Sequence, residues 1–172
     1  MKRLILLTVV IMLLNLNNLS AKQDNIKNGV EKTYYPNGVL WLELNYKNGK
    51  LEGKQKAYFE DGKIQTEDEY INDKRNGLYK GYSSNGKLYV EYTFIDDKKN
   101  GPFSYYYKSG AIREKGNFKD DLPEGVISFY EEEDGSIYME IEFKNGKPIS
   151  ATWGDGRKWT KKELMTWWNK GL

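Results

Sequence analysis

One stretch decides the fold of this chain: Tyr34-Tyr35-Pro36-Asn37-Gly38-Val39-Leu40-Trp41-Leu42-Glu43-Leu44-Asn45-Tyr46. An Asn-Gly pair between alternating aromatic and aliphatic residues is the strongest short-range signal for a β-hairpin with a type I′ turn. Glycine is needed there because it adopts a positive φ at little cost. This loop predicts that Tyr34 lies opposite Trp41, Thr33 opposite Leu42, and Lys32 opposite Glu43.

The pattern recurs five times with a period of 24 residues. Aromatic residues mark the period at Tyr34, Tyr58, Tyr82, Tyr106 and Tyr130. The fifth unit carries one extra residue, which we place in a three-residue loop with Gly135 in a bulge, so that Tyr130 pairs with Tyr138. A period this strict predicts a repeat array. We therefore expect an all-β fold, an elongated single-layer antiparallel array of five 24-residue β-hairpin repeats within residues 22–148, with units at 29–52, 53–76, 77–100, 101–124 and 125–147.

Strand alternation assigns the side chains to two faces. One face is expected to be apolar and to collect Leu40, Leu42, Leu44, Ile64, Leu88, Val90, Ile112, Ile137, Met139 and Ile141, with the closing aromatics Tyr46, Tyr70, Phe94, Phe118 and Phe143. The other face is expected to be aromatic but hydrated. It should carry the five tyrosines together with Trp41, Gln65, Tyr89, Arg113 and Tyr138, and with Glu43, Glu67, Glu91 and Glu140. The same register brings Lys56 opposite Glu67 and Lys80 opposite Glu91.

The two ends of the chain differ from the repeats. Residues 1–21 have the charged start, apolar run and small residues of a secretory signal peptide, which predicts export to the periplasm, the cell envelope or the medium. Residues 149–172 form a Trp-rich cap, in which Thr160 and Glu163 make a capping-box pattern and predict a short helix over 161–170. We expect Trp159, Leu164 and Trp168 to cover the open end of the sheet, although docking to a membrane surface or a partner stays open.

Composition argues against several classes of function. The chain has no histidine and no cysteine, which excludes histidine-based acid–base catalysis, cysteine nucleophiles and disulfides. Without residues 1–21, the 25 basic side chains balance 25 acidic ones, so nucleic acid is not an expected partner. The acidic run 131–134 lacks the ligand alternation of an EF-hand loop. We expect no enzymatic activity, no cofactor and no metal.

The quoted stretch resembles the variant MORN repeat, often written Y-Y-x-N-G-x-L-x-x-E-x-x-Y, and matches it position for position. The second unit matches with mild changes, and the third carries Ser83 and Phe94 in place of an aromatic residue and tyrosine. The fourth departs most, since Lys115 stands where the glutamate should be. Bacterial chains of this kind are frequently named YwqK-type antitoxin components. The resemblance implies a hairpin array with protein or lipid contact and no shared catalytic residues.

These observations favour a non-enzymatic, exported scaffold that binds another protein through its aromatic face. The candidate partner-binding residues are Tyr34, Trp41, Tyr58, Tyr82, Tyr89, Tyr106, Arg113, Tyr130 and Tyr138. A second interpretation is that the tyrosines are a spine that joins neighbouring hairpins. Neutralisation of a partner toxin, binding of an envelope glycan or lipid, and self-association into a homo-oligomer remain alternatives.

Overall fold

The computed structural model describes residues 27–169, so the predicted signal peptide lies outside the described residues. Within them, an antiparallel sheet of thirteen strands is followed by one helix. The elements are β1 (Gly29–Tyr34), β2 (Leu40–Lys47), β3 (Lys50–Leu51), β4 (Gly53–Tyr58), β5 (Ile64–Ile71), β6 (Lys74–Arg75), β7 (Gly77–Tyr82), β8 (Leu88–Ile95), β9 (Lys98–Tyr106), β10 (Ile112–Lys119), β11 (Leu122–Tyr130), β12 (Ile137–Lys144), β13 (Lys147–Trp153) and α1 (Lys161–Asn169).

The sheet confirms the predicted hairpin array. Its five hairpins are β1–β2, β4–β5, β7–β8, β9–β10 and β11–β12, and they lie side by side in chain order. The short strands β3 and β6 extend the pairing of β2 and β5. The register places Lys32 opposite Glu43, Lys56 opposite Glu67 and Lys80 opposite Glu91, as predicted.

The loops at the Asn-Gly and Asp-Gly positions are not type I′ turns, and that prediction is wrong. The Tyr35 N–H donates to the Val39 carbonyl at 2.8 Å, and the Gly38 N–H donates to the Tyr35 carbonyl at 2.9 Å. The loop is therefore three residues long, with Gly38 at a φ of 85°. Asn37 belongs in this loop because its Oδ1 accepts the Val39 N–H at 3.0 Å.

True type I′ geometry occurs at the opposite end of the hairpins, where the sequence analysis predicts nothing. Both central residues have positive φ at Asn48-Gly49, with values of 52° and 79°. The same holds at Asn72-Asp73, Asp96-Asp97, Asp120-Asp121 and Asn145-Gly146. Three of these turns also bind the preceding repeat, because Asp73, Asp97 and Asp121 accept backbone N–H groups from Leu51, Arg75 and Lys99 at 2.7 to 2.8 Å.

Each hairpin contains a β-bulge that changes the predicted faces. Tyr34 pairs with Leu40 rather than Trp41, and Tyr130 pairs with Ile137 rather than Tyr138. The fifth loop is also one residue longer than predicted, since the Glu131 N–H donates to the Ser136 carbonyl. The register shifts leave the same repeat position unpaired in all five hairpins, at Trp41, Gln65, Tyr89, Arg113 and Tyr138.

The bulges move five aliphatic residues to the face of the tyrosines, where each lies opposite one tyrosine: Leu40, Ile64, Leu88, Ile112 and Ile137. The prediction that these residues belong to the apolar face is therefore wrong. We call the face of Tyr34, Tyr58, Tyr82, Tyr106 and Tyr130 the ladder face. The opposite face, which carries Val90, Phe103, Ile127, Ile141 and Ala151, is the core face.

The core face is apolar and well buried in its C-terminal half, whereas its N-terminal half mixes apolar side chains such as Leu42 and Leu44 with buried polar ones. Phe103, Ile127 and Ile141 are buried there together with Leu164 of α1. Towards the N-terminal end, the buried residues include Gln55 and Asp68, and the Asp68 carboxylate accepts a hydrogen bond from Arg75 Nε at 2.7 Å. The expectation of an apolar face is thus met at Leu42, Leu44, Val90 and Ile141, and the buried polar residues Gln55 and Asp68 interrupt it.

The C-terminal cap has the predicted helix and begins with the predicted capping box. Thr160 Oγ1 accepts the Glu163 N–H at 3.3 Å, while Glu163 Oε2 accepts the Thr160 N–H at 2.7 Å. Leu164 is buried, and Trp159 and Trp168 pack against the same cluster. These three residues therefore cover the C-terminal half of the core face rather than the open end of the sheet, which differs from the prediction.

The hairpin pattern also continues beyond Lys147, where the sequence pattern predicts a different element. β13 pairs with β12 along its length, and a three-residue loop of the same kind follows it. The Trp153 N–H donates to the Arg157 carbonyl at 2.8 Å, and the Gly156 N–H donates to the Trp153 carbonyl at 2.8 Å. The chain then returns along β13, with Thr152 bridged to Lys158. A truncated sixth hairpin thus shields the last strand edge.

Candidate binding surfaces

The tyrosines of the ladder face are joined to glutamates of the preceding repeat. Tyr82 Oη donates to Glu67 Oε2 at 2.9 Å, and Tyr106 Oη donates to Glu91 Oε2 at 2.7 Å. Burial, followed by the hydrogen bond to Glu67, raises the pKa of Tyr82 to about 12. The same two causes, with Glu91 as the acceptor, raise the pKa of Tyr106. These rings are therefore held in place and remain protonated at neutral pH.

A row of alternating charges runs beside the tyrosines. Three cross-strand ion pairs have N–O distances of 3.1 Å for Lys32–Glu43, 3.4 Å for Lys56–Glu67 and 3.2 Å for Lys80–Glu91. Each of the first two glutamates also lies opposite a lysine of the next hairpin, because Glu43 pairs with Lys56 and Glu67 with Lys80. Exposed pairs of this kind contribute little stability, but they fix the register.

Lys115, the outlier of the fourth repeat, has a structural explanation. Its backbone neighbours are Ser104 and Ser128, so no like charge lies directly opposite it in the pairing. Its Nζ lies 5.2 Å from the centre of the Tyr130 ring. Lys115 and Tyr130 therefore form a cation–π contact. At the equivalent positions of the earlier repeats, Glu67–Tyr82 and Glu91–Tyr106 form hydrogen bonds instead.

The ladder face exposes apolar side chains in addition to its tyrosines. Strand alternation places Val30 on the same face as Tyr34, Leu78 on the same face as Tyr82, and Val126 on the same face as Tyr130. Large apolar side chains of this face that are 37% to 57% exposed include Val30, Tyr34, Leu78, Ile112, Val126 and Ile137. α1 packs against the opposite face. Within residues 27–169, the ladder face thus presents apolar groups across most of the sheet.

The nine residues predicted to bind a partner do not share one face. Tyr34, Tyr58, Tyr82, Tyr106 and Tyr130 lie together on the ladder face, but the bulge residues turn towards the core face. Tyr89 covers Gly81, where an added Cβ would lie 3.0 Å from the Tyr89 ring. Arg113 lies 5.2 Å from the Tyr105 ring, and Tyr138 lies 6.2 Å from the Phe129 ring. Trp41 contacts Tyr35 at 5.7 Å and is 44% exposed.

Sequence reasoning missed the bulges, and with them the aliphatic half of the ladder face. A signal did exist, since each loop is followed by two apolar or large residues in succession, as in Leu40-Trp41 and Leu88-Tyr89. Under strict alternation, two successive residues point to opposite faces of the sheet. A bulge changes this by adding one unpaired residue to the strand.

The cap carries a second concave surface. A cleft of about 710 Å³ is lined by Trp153, Trp159 and Trp167 together with the basic residues Arg157, Lys158 and Lys162. The three rings form a chain of contacts, with centroid distances of 5.8 Å for Trp153–Trp159 and 5.9 Å for Trp159–Trp167. Arg157 lies 5.1 Å from the centre of the Trp153 ring.

Two other kinds of site are not found between residues 27 and 169. No group of three or more acidic, histidine or cysteine side chains there is arranged to hold a metal ion. The acidic loop of the fifth hairpin instead uses Asp134 to accept the Ser136 N–H at 2.9 Å. In the same part of the chain, α1 is too short to cross a membrane, and no other helix there could do so.

The fold and these surfaces define a β-hairpin repeat scaffold. The family model described as MORN repeat variant matches the chain at residues 27–48, 51–72, 75–96 and 99–120, and the chain belongs to this family. The four matches correspond to the first four hairpins. The fifth hairpin lies outside the match, although its bulge and the pairing of Ser128 with Glu140 follow the same register. No curated protein sequence matches the chain.

Solved structures with similar arrangements are distant. The glycosylation-associated Gap123 complex of Streptococcus agalactiae is 18% identical with a TM-score of 0.37, and the match covers 63% of this chain and 20% of that one. Accessory secretory proteins 1, 2 and 3 of Streptococcus pneumoniae are 15% identical with a TM-score of 0.36, covering 61% and 19%. TarM is 10% identical with a TM-score of 0.31, covering 91% and 26%. The chain thus spans a fifth to a quarter of these chains.

Proposed function

We propose that this protein is a non-enzymatic scaffold that binds another protein through the ladder face. The observation that carries the proposal is the row in which Tyr34, Tyr58, Tyr82, Tyr106 and Tyr130 alternate with leucine and isoleucine across ten strands. Tyrosine suits protein interfaces because it brings a large apolar ring and a polar end while losing little entropy. Exposed apolar groups that extend across a face are typical of interaction sites.

Hydrogen bonds prepare this face for binding. Because Glu67 and Glu91 already hold the hydroxyls of Tyr82 and Tyr106, these rings lose less conformational freedom when a partner covers them. The spine interpretation and the binding interpretation therefore describe the same residues: the contacts that join the repeats also fix the rings for recognition. The lysines and glutamates of the ladder face form ion pairs with one another. A partner that covers the tyrosines would therefore meet charges of both signs around them.

The partner is proposed to lie outside the cytoplasm, because residues 1–21 have the pattern of an export signal. A toxin, which the YwqK-type resemblance suggests, is one case of a protein partner. A toxicity assay distinguishes a toxin from other partners, because the purified chain should neutralise the captured protein only if that protein is a toxin. The chain has no histidine or cysteine, which supports the non-enzymatic part of the proposal.

The experiment compares capture by the wild type with capture by a Leu78→Lys/Val126→Lys double variant. Both positions are more than 40% exposed and should accept lysine without unfolding the sheet. Tyr89→Lys is the matched control, since Tyr89 is 44% exposed on the core face. Binding of the purified partner, measured by calorimetry, should be lost in the double variant and kept in the control.

A second candidate concerns the cap. Tryptophan rings beside Arg157, Lys158 and Lys162 suit the stacking of a sugar ring or contact with anionic lipid. Sedimentation with purified peptidoglycan and with anionic liposomes tests this candidate separately, using Trp159→Ala as the variant. Retention of the wild type and loss of the variant would support an envelope ligand, whereas no sedimentation of the wild type would dismiss it.

A further inference from the structure

The fourth repeat departs from the others at three successive positions, Arg113-Glu114-Lys115. Lys115 is explained by Tyr130, but Arg113 and Glu114 face the core side. The position of Glu114 is occupied in the other repeats by Leu42, Thr66, Val90 and Met139. A charged residue at a core-face position breaks the local pattern, and proteins retain such exceptions mainly at functional sites.

Glu114 lines a cleft between the core face and α1. The cleft has a volume of about 460 Å³, within the range of small-molecule sites. Phe103 and Tyr105 of β9 form part of its floor, and Trp167 and Trp168 of α1 form part of its roof. Aromatic rings supply most of the lining, at Phe103, Tyr105, Phe118, Phe129, Trp167 and Trp168.

The carboxylate of Glu114 is poorly compensated in this position. Its side chain is 20% exposed, and its Oε1 lies 3.8 Å from Arg113 Nη2, which is too long for a hydrogen bond. Among residues 27–169, no donor forms a hydrogen bond with either carboxylate oxygen. Burial therefore raises the pKa of Glu114, and Arg113 opposes this only in part. Arg113 also lines the cleft, where its guanidinium lies over the Tyr105 ring and its side chain is 46% exposed.

We propose that this cleft binds a small organic cation, a quaternary or alkylated ammonium group. Aromatic ring faces attract such cations, and a carboxylate adds charge complementarity that an apolar ligand cannot use. The cation would sit among the rings and against Glu114 Oε2, on the side of the carboxylate that Arg113 does not approach. The site lies on the core face, so it is independent of partner binding through the ladder face.

Titration of the full chain with choline tests the proposal, with tryptophan fluorescence as the readout because Trp167 and Trp168 line the cleft. The neutral carbon isostere of choline has the same shape without the charge, and should bind about tenfold more weakly. Glu114→Gln should weaken choline binding by about tenfold, since it removes the charge and keeps the volume. Arg113→Gln should bind choline at least as tightly as the wild type.

Glu133→Gln is the control, because Glu133 lies in the exposed loop of the fifth hairpin and should leave binding unchanged. Thermal unfolding of each variant verifies that the chain is folded. The proposal is overturned if the wild type shows no saturable choline response. It is also overturned if the neutral isostere binds equally well, or if Glu114→Gln binds choline as tightly as the wild type does.

Discussion

Tyr82 and Glu67 join two neighbouring repeats through a hydrogen bond of 2.9 Å between Tyr82 Oη and Glu67 Oε2, although the residues are 15 positions apart in sequence. Glu67 also forms an ion pair with Lys56, with 3.4 Å between Lys56 Nζ and Glu67 Oε1, and it lies opposite Lys80 in the pairing. One glutamate therefore connects its own hairpin with the next. Tyr106 and Glu91 repeat the arrangement at 2.7 Å, so the ladder is both a structural connection and a fixed aromatic surface.

Replacing Tyr82 with phenylalanine should lower stability at neutral pH and have a smaller effect at alkaline pH. The pKa of Tyr82 is raised from 10.0 to about 12, so its stabilising contribution is complete below pH 10 and disappears as pH rises towards 12. At pH 8 the lost hydrogen bond should cost at most about 1 kcal/mol. Urea unfolding of both proteins at pH 8 and pH 11.5 measures the difference. A constant difference would contradict the role of the hydroxyl.

Lysine and glutamate should not be interchangeable along the charge row. Glu91→Lys removes the acceptor of Tyr106 and places a lysine beside Lys80, so we expect a loss of about 1 kcal/mol. Lys115→Glu should change stability by less than about 0.5 kcal/mol, because Ser104 and Ser128 flank it and Tyr130 can donate to a carboxylate. Chemical denaturation of the two variants compares them directly, and equal losses would count against the account of the row.

The loop glycines should resist substitution by β-branched residues. Gly62 has a φ of 83° and Gly86 a φ of 84°, and the nearest atoms to an added Cβ are 3.6 to 3.8 Å away, so the cost would come from the backbone. We expect Gly62→Val and Gly86→Val each to cost about 1 kcal/mol or more. Lys63→Val, one position later, should cost less, about 0.5 kcal/mol, because it loses only exposed contacts of Lys63 Nζ with Asp61 and the Ser84 carbonyl. Thermal midpoints that do not differ between Gly62→Val and Lys63→Val would refute this assignment.

The cap should stabilise the C-terminal half of the sheet. Leu164 is 4% exposed and packs in the cluster that contains Phe103 and Ile141, so Leu164→Ala should cost about 2–4 kcal/mol. Leu78→Ala removes the same atoms from a side chain that is 41% exposed and should cost much less. Equilibrium unfolding of both variants provides the comparison. Similar losses would mean that α1 contributes little to the core.

The repeat period alone predicts most of the fold, because hairpins that recur every 24 residues can be stacked in only a few ways. The lysine–glutamate pairs also identify the register correctly, since opposite charges recur at equivalent positions. The turns are harder to predict. Asn37-Gly38 and Asn48-Gly49 carry the same dipeptide, but the first forms a three-residue loop and the second a type I′ turn. Loop length depends on where the flanking strands end, which the dipeptide does not encode.

The candidate surface is predicted only in part for a related reason. A single bulge per hairpin separates Trp41, Tyr89, Arg113 and Tyr138 from the tyrosines and replaces them with leucine and isoleucine. A change of one residue in register exchanges the faces of a strand, so an error at each bulge alters half of the surface. The buried Gln55 could not be foreseen either, because its amide bonds to the backbone of Asn45, which only the pairing of the hairpins brings near.

Site-specific photocrosslinking tests whether a protein partner covers the ladder face, as we propose. A photoreactive phenylalanine analogue would replace Leu78 or Val126 on the ladder face, and Tyr89 on the core face, each of which is more than 40% exposed. After irradiation in the native cells, the account predicts the same crosslinked partner from Leu78 and Val126 and none from Tyr89. Crosslinks from Tyr89 alone, or no crosslink from either ladder-face position, would contradict it.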